Sequence, residues 1–329
     1  MDLPLVALVL AGGRGTRLYP ASREDRPKQL LSFGRDQSLL ADTVDRAGFA
    51  DETYVLTRPD YADAVREHAP GAGVLTEPEP RDTGPALVYA AHRVREQVGE
   101  CVLLCLPSDH HVRGDFATTA RAAATVAADT GGLVTVGIEP TRPATGYGYL
   151  DPGEARGGYV PVEAFVEKPD EATAEEYVEA GHYWNAGIFA WTPTALLDAA
   201  RDSPLGPLVD ALDEGDPEGG FAAVDPVSID YAVLERAADV FVVPADFEWD
   251  DLGSWDAVGR VLDGDSRGNV TLGDGLTIDA ENCVLASDGH VSAVGVEGLV
   301  VASYDGHTLV VPREQSQRVR EVVANLPGE

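Results

Sequence analysis

Runs of consecutive apolar residues of strand length recur along the first 265 residues: PLVALVL (4–10), ETYVLT (52–57), AGVLTE (72–77), CVLLCLPSD (101–109) and GGLVTVGI (131–138). Between them lie stretches with helical spacing of apolar positions, at Leu39–Phe49, Tyr61–Ala69, Ala86–Val98 and Phe116–Thr130. This alternation predicts an α/β domain with a Rossmann-like, mostly parallel sheet. The near-continuous apolar character of the runs predicts strands buried on both faces. From about Gly268 the texture changes to short β-like pieces (NVTLG, GLTID, NCVLAS, GLVVASY, HTLVVP) separated by Gly, Asp and Asn turns, and then a terminal helix, REQSQRVREVVANL. A boundary near residue 265 follows, with one domain over 1–265 and a small β-rich domain over 266–329. The short period of the second resembles stacked coils of a left-handed β-helix, but no strict hexapeptide repeat is present, so its topology stays open.

Composition changes this picture in one respect, charge. The 329 residues carry 56 acidic against 24 basic side chains, a net charge of −32. A basic stripe for nucleic acid is absent. The acids are dispersed along the chain, as on a solvated surface, and such a surface is tolerated when salt shortens the screening length. Acid excess with near-absence of lysine resembles the proteins of salt-adapted microbes. Three cysteines (Cys101, Cys105, Cys283) give no disulfide framework and read as buried thiols in a reducing cytoplasm. No apolar stretch reaches membrane-spanning length and LPLVALVL lacks a basic leader, so the expected location is cytoplasmic, with no membrane partner.

After the first apolar run comes Gly12-Gly13-Arg14-Gly15-Thr16-Arg17. Glycines after a strand let backbone N–H groups approach an anion. A tight turn is the plainer reading, and two familiar motifs are excluded. A Walker loop needs Gly-Lys-Ser/Thr, and a dinucleotide fingerprint needs glycine where Leu18 stands. Arg14, Arg17, Arg23, Arg26 and Lys28 nevertheless crowd into one short stretch of a very acidic chain, which favours converging phosphates. Lys28 is one of only two lysines, the other being Lys168 in FVEKPD.

The stretch LAGGRGTRLYPASREDRPKQLL closely resembles the signature of the sugar-1-phosphate nucleotidylyltransferases, and its Ser22-Arg23 pair and Pro-Lys-Gln ending are similar to the mannose-1-phosphate guanylyltransferase branch. EPEPRDTGPA, LPSDHHV, TGYGYL, FVEKP, YWNAGIF, SIDYAVLE and WDDLGSW match further family segments in order. The resemblance spans the whole chain. It implies transfer of GMP from GTP to mannose 1-phosphate, giving GDP-mannose and pyrophosphate. The nucleophile, a phosphate oxygen, is already largely ionised at neutral pH, so no general base is needed. The demand is electrostatic, met by cations and Mg2+.

By the same resemblance Arg14, Lys28 and Lys168 are catalytic, with Lys28 bridging nucleotide phosphates and Lys168 holding the sugar's phosphate. Gly12, Gly13, Gly15, Thr16, Arg17, Arg81, Asp82 and Pro85 are expected to bind the nucleotide. Arg14 and Arg17 would grip the leaving phosphates. Asp109, at the C-terminal edge of an apolar strand, and Asp251 are the expected Mg2+ ligands, against the alternatives of turn or capping aspartates; Asp250 stands beside Asp251. His110 and His111 are left structural, since hard magnesium prefers oxygen. Glu167 and Lys168 with Asn185, able to donate and accept, and Gly146, allowing close backbone approach, are expected to hold the sugar phosphate. Asp82 stands where the family typically has Asn; it suits guanine recognition and the capping of a helix starting near Pro85 equally well.

The same fold acting on glucose 1-phosphate with UTP or dTTP is the enzyme alternative, disfavoured by the motif endings. A non-catalytic nucleotide-sugar-binding regulatory subunit is another, but it would be expected to lose a metal aspartate or a phosphate lysine. The residues after the boundary are too few for the isomerase domain of bifunctional relatives. A homodimer is compatible with the sequence.

Overall fold

A computed structural model of the chain describes residues 3–326. The chain divides into two compact units. The first joins the chain up to Gly12 with Val44–Pro107 and Arg113–Trp249; the second joins Gly13–Thr43, Ser108–Val112 and the chain from Asp250 onward.

The strands in chain order begin with β1 (Leu5–Leu10), β2 (Glu52–Thr57), β3 (Gly73–Thr76), β4 (Val102–Pro107) and β5 (His111–Gly114). Next come β6 (Leu133–Ile138), β7 (Gly148–Pro152), β8 (Val160–Glu167), β9 (Tyr183–Trp191), β10 (Val240–Pro244) and β11 (Phe247–Asp250). The first unit is built on a nine-stranded sheet of order β3-β2-β1-β4-β9-β6-β10-β8-β7 among the described residues. Pairing is parallel from β3 to β4 and between β6 and β10, as the α/β alternation predicts. It is antiparallel where β9 enters between β4 and β6 and where β8 and β7 close the far edge, so the sheet is mixed. β1 and β4 are each buried at five of six positions, as runs covered on both faces should be. The helix Thr83–Val98 presents Leu87, Val88, Ala91 and Val94 to the core around Leu8, Leu103 and Trp191. The helix Phe116–Thr130 starts on an Asp115 cap and stops at Gly131, whose left-handed φ of 67° a side chain would resist.

In the second unit β12 (Val270–Ile278), β13 (Val284–Val294) and β14 (Leu299–Tyr304) stack in parallel, and β15 (His307–Pro312) returns antiparallel to β14. Val270, Val284 and Val300 fall in register, as do Leu272, Ala286 and Ala302. Buried Asn269 ties successive turns, donating to the Ala280 carbonyl and accepting from the Cys283 N–H at 2.8 and 3.1 Å. The interior of this stack packs on Leu18, Phe33, Leu39, Leu252 and Trp255, from sequence far upstream and immediately before it. The terminal segment begins as a 3-10 turn, Arg313–Arg318, and becomes α-helical over Val319–Ala324. All three cysteines are buried and unpaired by disulfides. Among the described residues no helix is long and apolar enough to cross a membrane.

Candidate active site

In the second unit the glycine-rich loop leads into a 3-10 turn, Thr16–Leu18, through Gly15 at φ 69°. A side chain on Gly15 would stand 2.4 Å from the Lys28 Cβ, so glycine is required both for the turn and for the approach of Lys28. A Cβ on Gly13 would meet nothing within 4 Å. Ser22 Oγ donates to the Arg14 carbonyl at 2.6 Å and fixes the loop from beneath.

Lys28 is 3% exposed. Its Nζ donates to Asp109 Oδ2 at 2.8 Å and to the Asp251 carbonyl at 2.6 Å. Burial alone would raise both carboxyl groups. For Asp109, Lys28 and His110 outweigh burial and hold the carboxyl below its ordinary range. For Asp251 the same two groups, with the Gly253 N–H and Arg17, do likewise. Two ionised carboxylates around one ammonium provide the hard oxygen donors that magnesium takes, one or two at a time, together with phosphate oxygens. His111 Nδ1 faces Arg35 Nη2.

The neighbouring Asp250 is committed elsewhere. It accepts from Arg260 at 2.9 Å and from the Leu252 N–H at 2.9 Å. The Asp251 carboxylate accepts from the Gly253 N–H at 3.0 Å. Leu252 between them sits at φ 46°, a conformation that a branched residue adopts only under constraint. The turn thus faces its two carboxylates to different partners.

Arg14 is half exposed and pairs with Glu24 at 2.8 Å; Arg17 donates to Gln317 at 3.0 Å. Arg23 and Arg26 are turned to Asp305 at 2.8 and 3.3 Å, with Arg26 also over the Tyr304 ring. These two members of the cation cluster therefore fasten the loop to the β-rich segment, which local sequence could not reveal.

In the first unit Gly12 closes on Glu77: a Cβ on Gly12 would lie 3.2 Å from Glu77 Oε1. Glu77 is 6% exposed, and burial pushes its carboxyl up to about 7 against the pull of Arg58. Sequence reasoning gave Glu77 no role, although it stands in EPEP. Asp82, at φ 70°, accepts from the Thr83 N–H at 2.7 Å and caps the helix, which starts at Thr83 with Pro85 buried in its first turn. Arg81 donates to the Val224 carbonyl at 2.6 Å and pairs with Glu79 at 2.9 Å.

A second cluster surrounds the other lysine. Lys168 follows β8 at φ 50° and its Nζ donates to Glu167 Oε1 at 2.6 Å. Its side chain is 56% exposed, against 8% for Glu167. Gly148 on the paired strand β7, rather than Gly146, is the crowded glycine: a Cβ there would lie 2.4 Å from Glu167 Oε2, whereas at Gly146 it would meet nothing within 4 Å. Asn185 on β9 donates to Asp230 at 2.8 Å, a residue that carried no assignment although SIDYAVLE was a matched segment. Tyr147 stands edge-on to both Trp184 and Trp249 at 5.1 and 5.2 Å, with Arg142 over the Trp184 ring. No group of three or more His, Cys, Asp or Glu side chains able to hold a metal by themselves is found among the described residues. A magnesium held partly by substrate does not require one.

The nucleotidyl transferase family model matches residues 6–266, and the mannose-phosphate isomerase/GMP-like β-helix domain model matches residues 273–326. The xanthan biosynthesis protein XanB of Xanthomonas campestris pv. campestris is 38% identical over 342 residues, covering 98% of this chain and 73% of that protein. Mannose-1-phosphate guanylyltransferase of Escherichia coli is 36% identical over 348 residues, covering 98% and 74%. The crystal structure of mannose-1-phosphate geranyltransferase from Thermus thermophilus superimposes with a TM-score of 0.92 at 39% identity, covering 98% of this chain and 99% of that one. The glycine-rich loop and its buried lysine therefore lie in a chain that belongs to the nucleotidyl transferase family and carries a mannose-phosphate isomerase/GMP-like β-helix domain after it.

Proposed function

We propose that this protein is a mannose-1-phosphate guanylyltransferase, making GDP-mannose and pyrophosphate from GTP and mannose 1-phosphate. The observation that carries the reading is the burial of Lys28 between Asp109 and the Asp251 carbonyl, at 2.8 and 2.6 Å. A buried cation held by one ionised carboxylate and a backbone carbonyl, with the ionised Asp251 carboxyl in its field, suits phosphoryl chemistry. Relatives at similar identity over nearly the whole chain bear the name of this activity.

An oxygen of the mannose 1-phosphate dianion forms the new bond to the α-phosphorus of GTP. The bond from that phosphorus to the bridging oxygen breaks, and pyrophosphate leaves with the electron pair. No proton need move. The backbone of Gly13–Thr16 approaches the triphosphate, and Arg14 and Arg17 neutralise its leaving end. Lys28 stabilises charge gathering on the transferred group. Asp109 and Asp251 would hold Mg2+, which supplies charge neutralisation on the phosphate oxygens. Lys168 grips the sugar phosphate, and Glu167 accepts from sugar hydroxyls. Arg81, Asp82 and Pro85 shape the approach of the base. With Asp82 capping a helix, buried Glu77 beside Gly12 is a second candidate for the base: once ionised, above about pH 7, it can accept from the guanine N1–H and amino group.

The test is pyrophosphate release from a panel of sugar 1-phosphates against GTP, ATP, UTP, CTP and dTTP with Mg2+. Highest kcat/KM for GTP with mannose 1-phosphate supports the reading. Preference for glucose 1-phosphate with UTP or dTTP transfers the protein to the sister activity, and no turnover with any pair favours a regulatory subunit.

A further inference from the structure

Asn185 is held from both ends of its amide. Its Oδ1 accepts from Thr135 Oγ1 at 2.7 Å and from the Gly187 N–H at 3.0 Å, and its Nδ2 donates to Asp230 Oδ1 at 2.8 Å. A backbone N–H can only donate, so the oxygen end is fixed on Gly187 and the NH2 end on Asp230. With its oxygen doubly engaged, Asn185 has one amide hydrogen left to offer a ligand. The sequence-based expectation that it both donates and accepts narrows to donation.

Asp230 opens a π-helical turn, Asp230–Leu234, a distortion that recurs at functional sites. The segment before it is pinned by the RDTG stretch: Val227 N–H donates to the Arg81 carbonyl at 3.3 Å, Gly84 N–H to the Val227 carbonyl at 3.0 Å, and Ile229 N–H to Thr83 Oγ1 at 3.0 Å. A Cβ on Gly84 would lie 2.6 Å from the Val227 carbonyl, so this clamp needs its glycine. The carboxylate is thereby set with little freedom in the Lys168 cluster.

We propose that Asp230 is a positioning residue for the sugar phosphate, fixing Asn185 as a hydrogen-bond donor to the ligand and balancing the charge of Lys168. This rests on the reading of the Lys168 cluster as the sugar-phosphate site. The charged and titratable groups around Asp230 are Glu167 and Lys168 at the end of β8, with Tyr231 and Glu235 on its own turn; Asn185 and Thr135 bring none. Burial and Glu167 push the Asp230 carboxyl up to about 7, while Lys168 pulls it down. An arriving phosphate is a further anion and favours protonated Asp230. Its binding is therefore expected to take up a proton near pH 7, and this contribution to affinity fades as pH rises. The phosphate's own second ionisation, with a pKa of roughly 6, acts in the opposite direction. The difference between wild type and a charge-free variant isolates Asp230.

Steady-state kinetics of Asp230→Ala and Asp230→Asn between pH 6 and 8.5 test this. Asp230→Ala removes the acceptor and is expected to raise KM for mannose 1-phosphate about tenfold, with KM for GTP within about twofold. Asp230→Asn keeps an acceptor oxygen and should restore most of that loss, while its KM for mannose 1-phosphate falls with rising pH more than the wild-type value does. An unchanged KM in Asp230→Ala would overturn the proposal. So would a parallel rise of both KM values with a lowered melting temperature, or a wild-type pH slope in Asp230→Asn. Should Asp230→Ala fail to fold, the slope in Asp230→Asn still decides. Absence of wild-type turnover with GTP and mannose 1-phosphate overturns the assigned substrates alone, and the same comparison is then made with the sugar phosphate the enzyme accepts.

Discussion

Lys28 Nζ lies 2.8 Å from Asp109 Oδ2, and the same ammonium donates to the Asp251 carbonyl at 2.6 Å. A side chain 81 residues downstream and a backbone group 223 downstream thus converge on one cation. The glycine at position 15 permits this, since any side chain there would collide with the Lys28 stem.

The WDDLGSW turn separates two adjacent carboxylates by role. Asp250, tied to Arg260 and the Leu252 N–H, is expected to act on stability: Asp250→Asn should cost about 1–3 kcal/mol in a denaturant titration, with kcat largely retained. Asp251→Asn, at the carboxylate assigned to the metal, should lower kcat at least about 100-fold at saturating Mg2+ with a near wild-type melting temperature. The reverse assignment of effects would shift the metal ligand by one residue.

Glu77 makes stability depend on pH. Its carboxyl is raised to about 7 in the folded protein, so the native state holds a proton that the unfolded state releases at its ordinary, lower value. Native protein then binds more protons than unfolded protein over about pH 4.5–7, and the stability this contributes is lost as pH rises through that window. Glu77→Gln cannot lose it. The melting temperature of the variant should fall less than that of the wild type between about pH 5 and 8. Parallel curves would show that Glu77 titrates normally.

The acidic surface gives a salt prediction. Net charge of −32 is expected to destabilise the compact state in dilute buffer, and screening should relieve it. The melting temperature should rise steadily from about 0.1 M to roughly 2 M KCl, in keeping with a salt-adapted origin. A melting temperature indifferent to KCl would remove that origin and leave the enzymatic reading untouched.

Five strands of the main sheet were legible because each is a local pattern: ETYVLT is β2 residue for residue, and CVLLCLPSD contains β4. The antiparallel entry of β9 between β4 and β6 was not, because strand pairing joins residues far apart in sequence and leaves no mark on a local pattern. The grouping of residues 13–43 and 108–112 with the C-terminal region is equally invisible in a local pattern. Among candidate site residues, the two lysines stood out by scarcity and the glycines by position. Arg23 and Arg26 stand in the same cation cluster, but their ion pairs with Asp305, 282 residues beyond Arg23, exist only in the folded chain. Asp230 and Glu77 were missed for a related reason. What marks them is burial near another charge or a tight glycine, and burial of an acid is a property of the folded chain.

The division of labour between the two lysines is tested most directly by the steady-state kinetics of Lys168→Arg beside Lys28→Arg. Both changes keep the cation and the surface charge, and Arg tolerates the left-handed backbone at Lys168 no worse than Lys does. Displacing the sugar phosphate by about 1 Å is expected to lower kcat/KM for mannose 1-phosphate on the order of 100-fold in Lys168→Arg, with KM for GTP nearly unchanged. Lys28→Arg forces a broader group between Asp109 and the Asp251 carbonyl, and should lower kcat at saturation of both substrates. Kinetics near those of the wild type in both variants, or the same loss toward GTP and mannose 1-phosphate in each, would contradict the assignment of one lysine to each substrate.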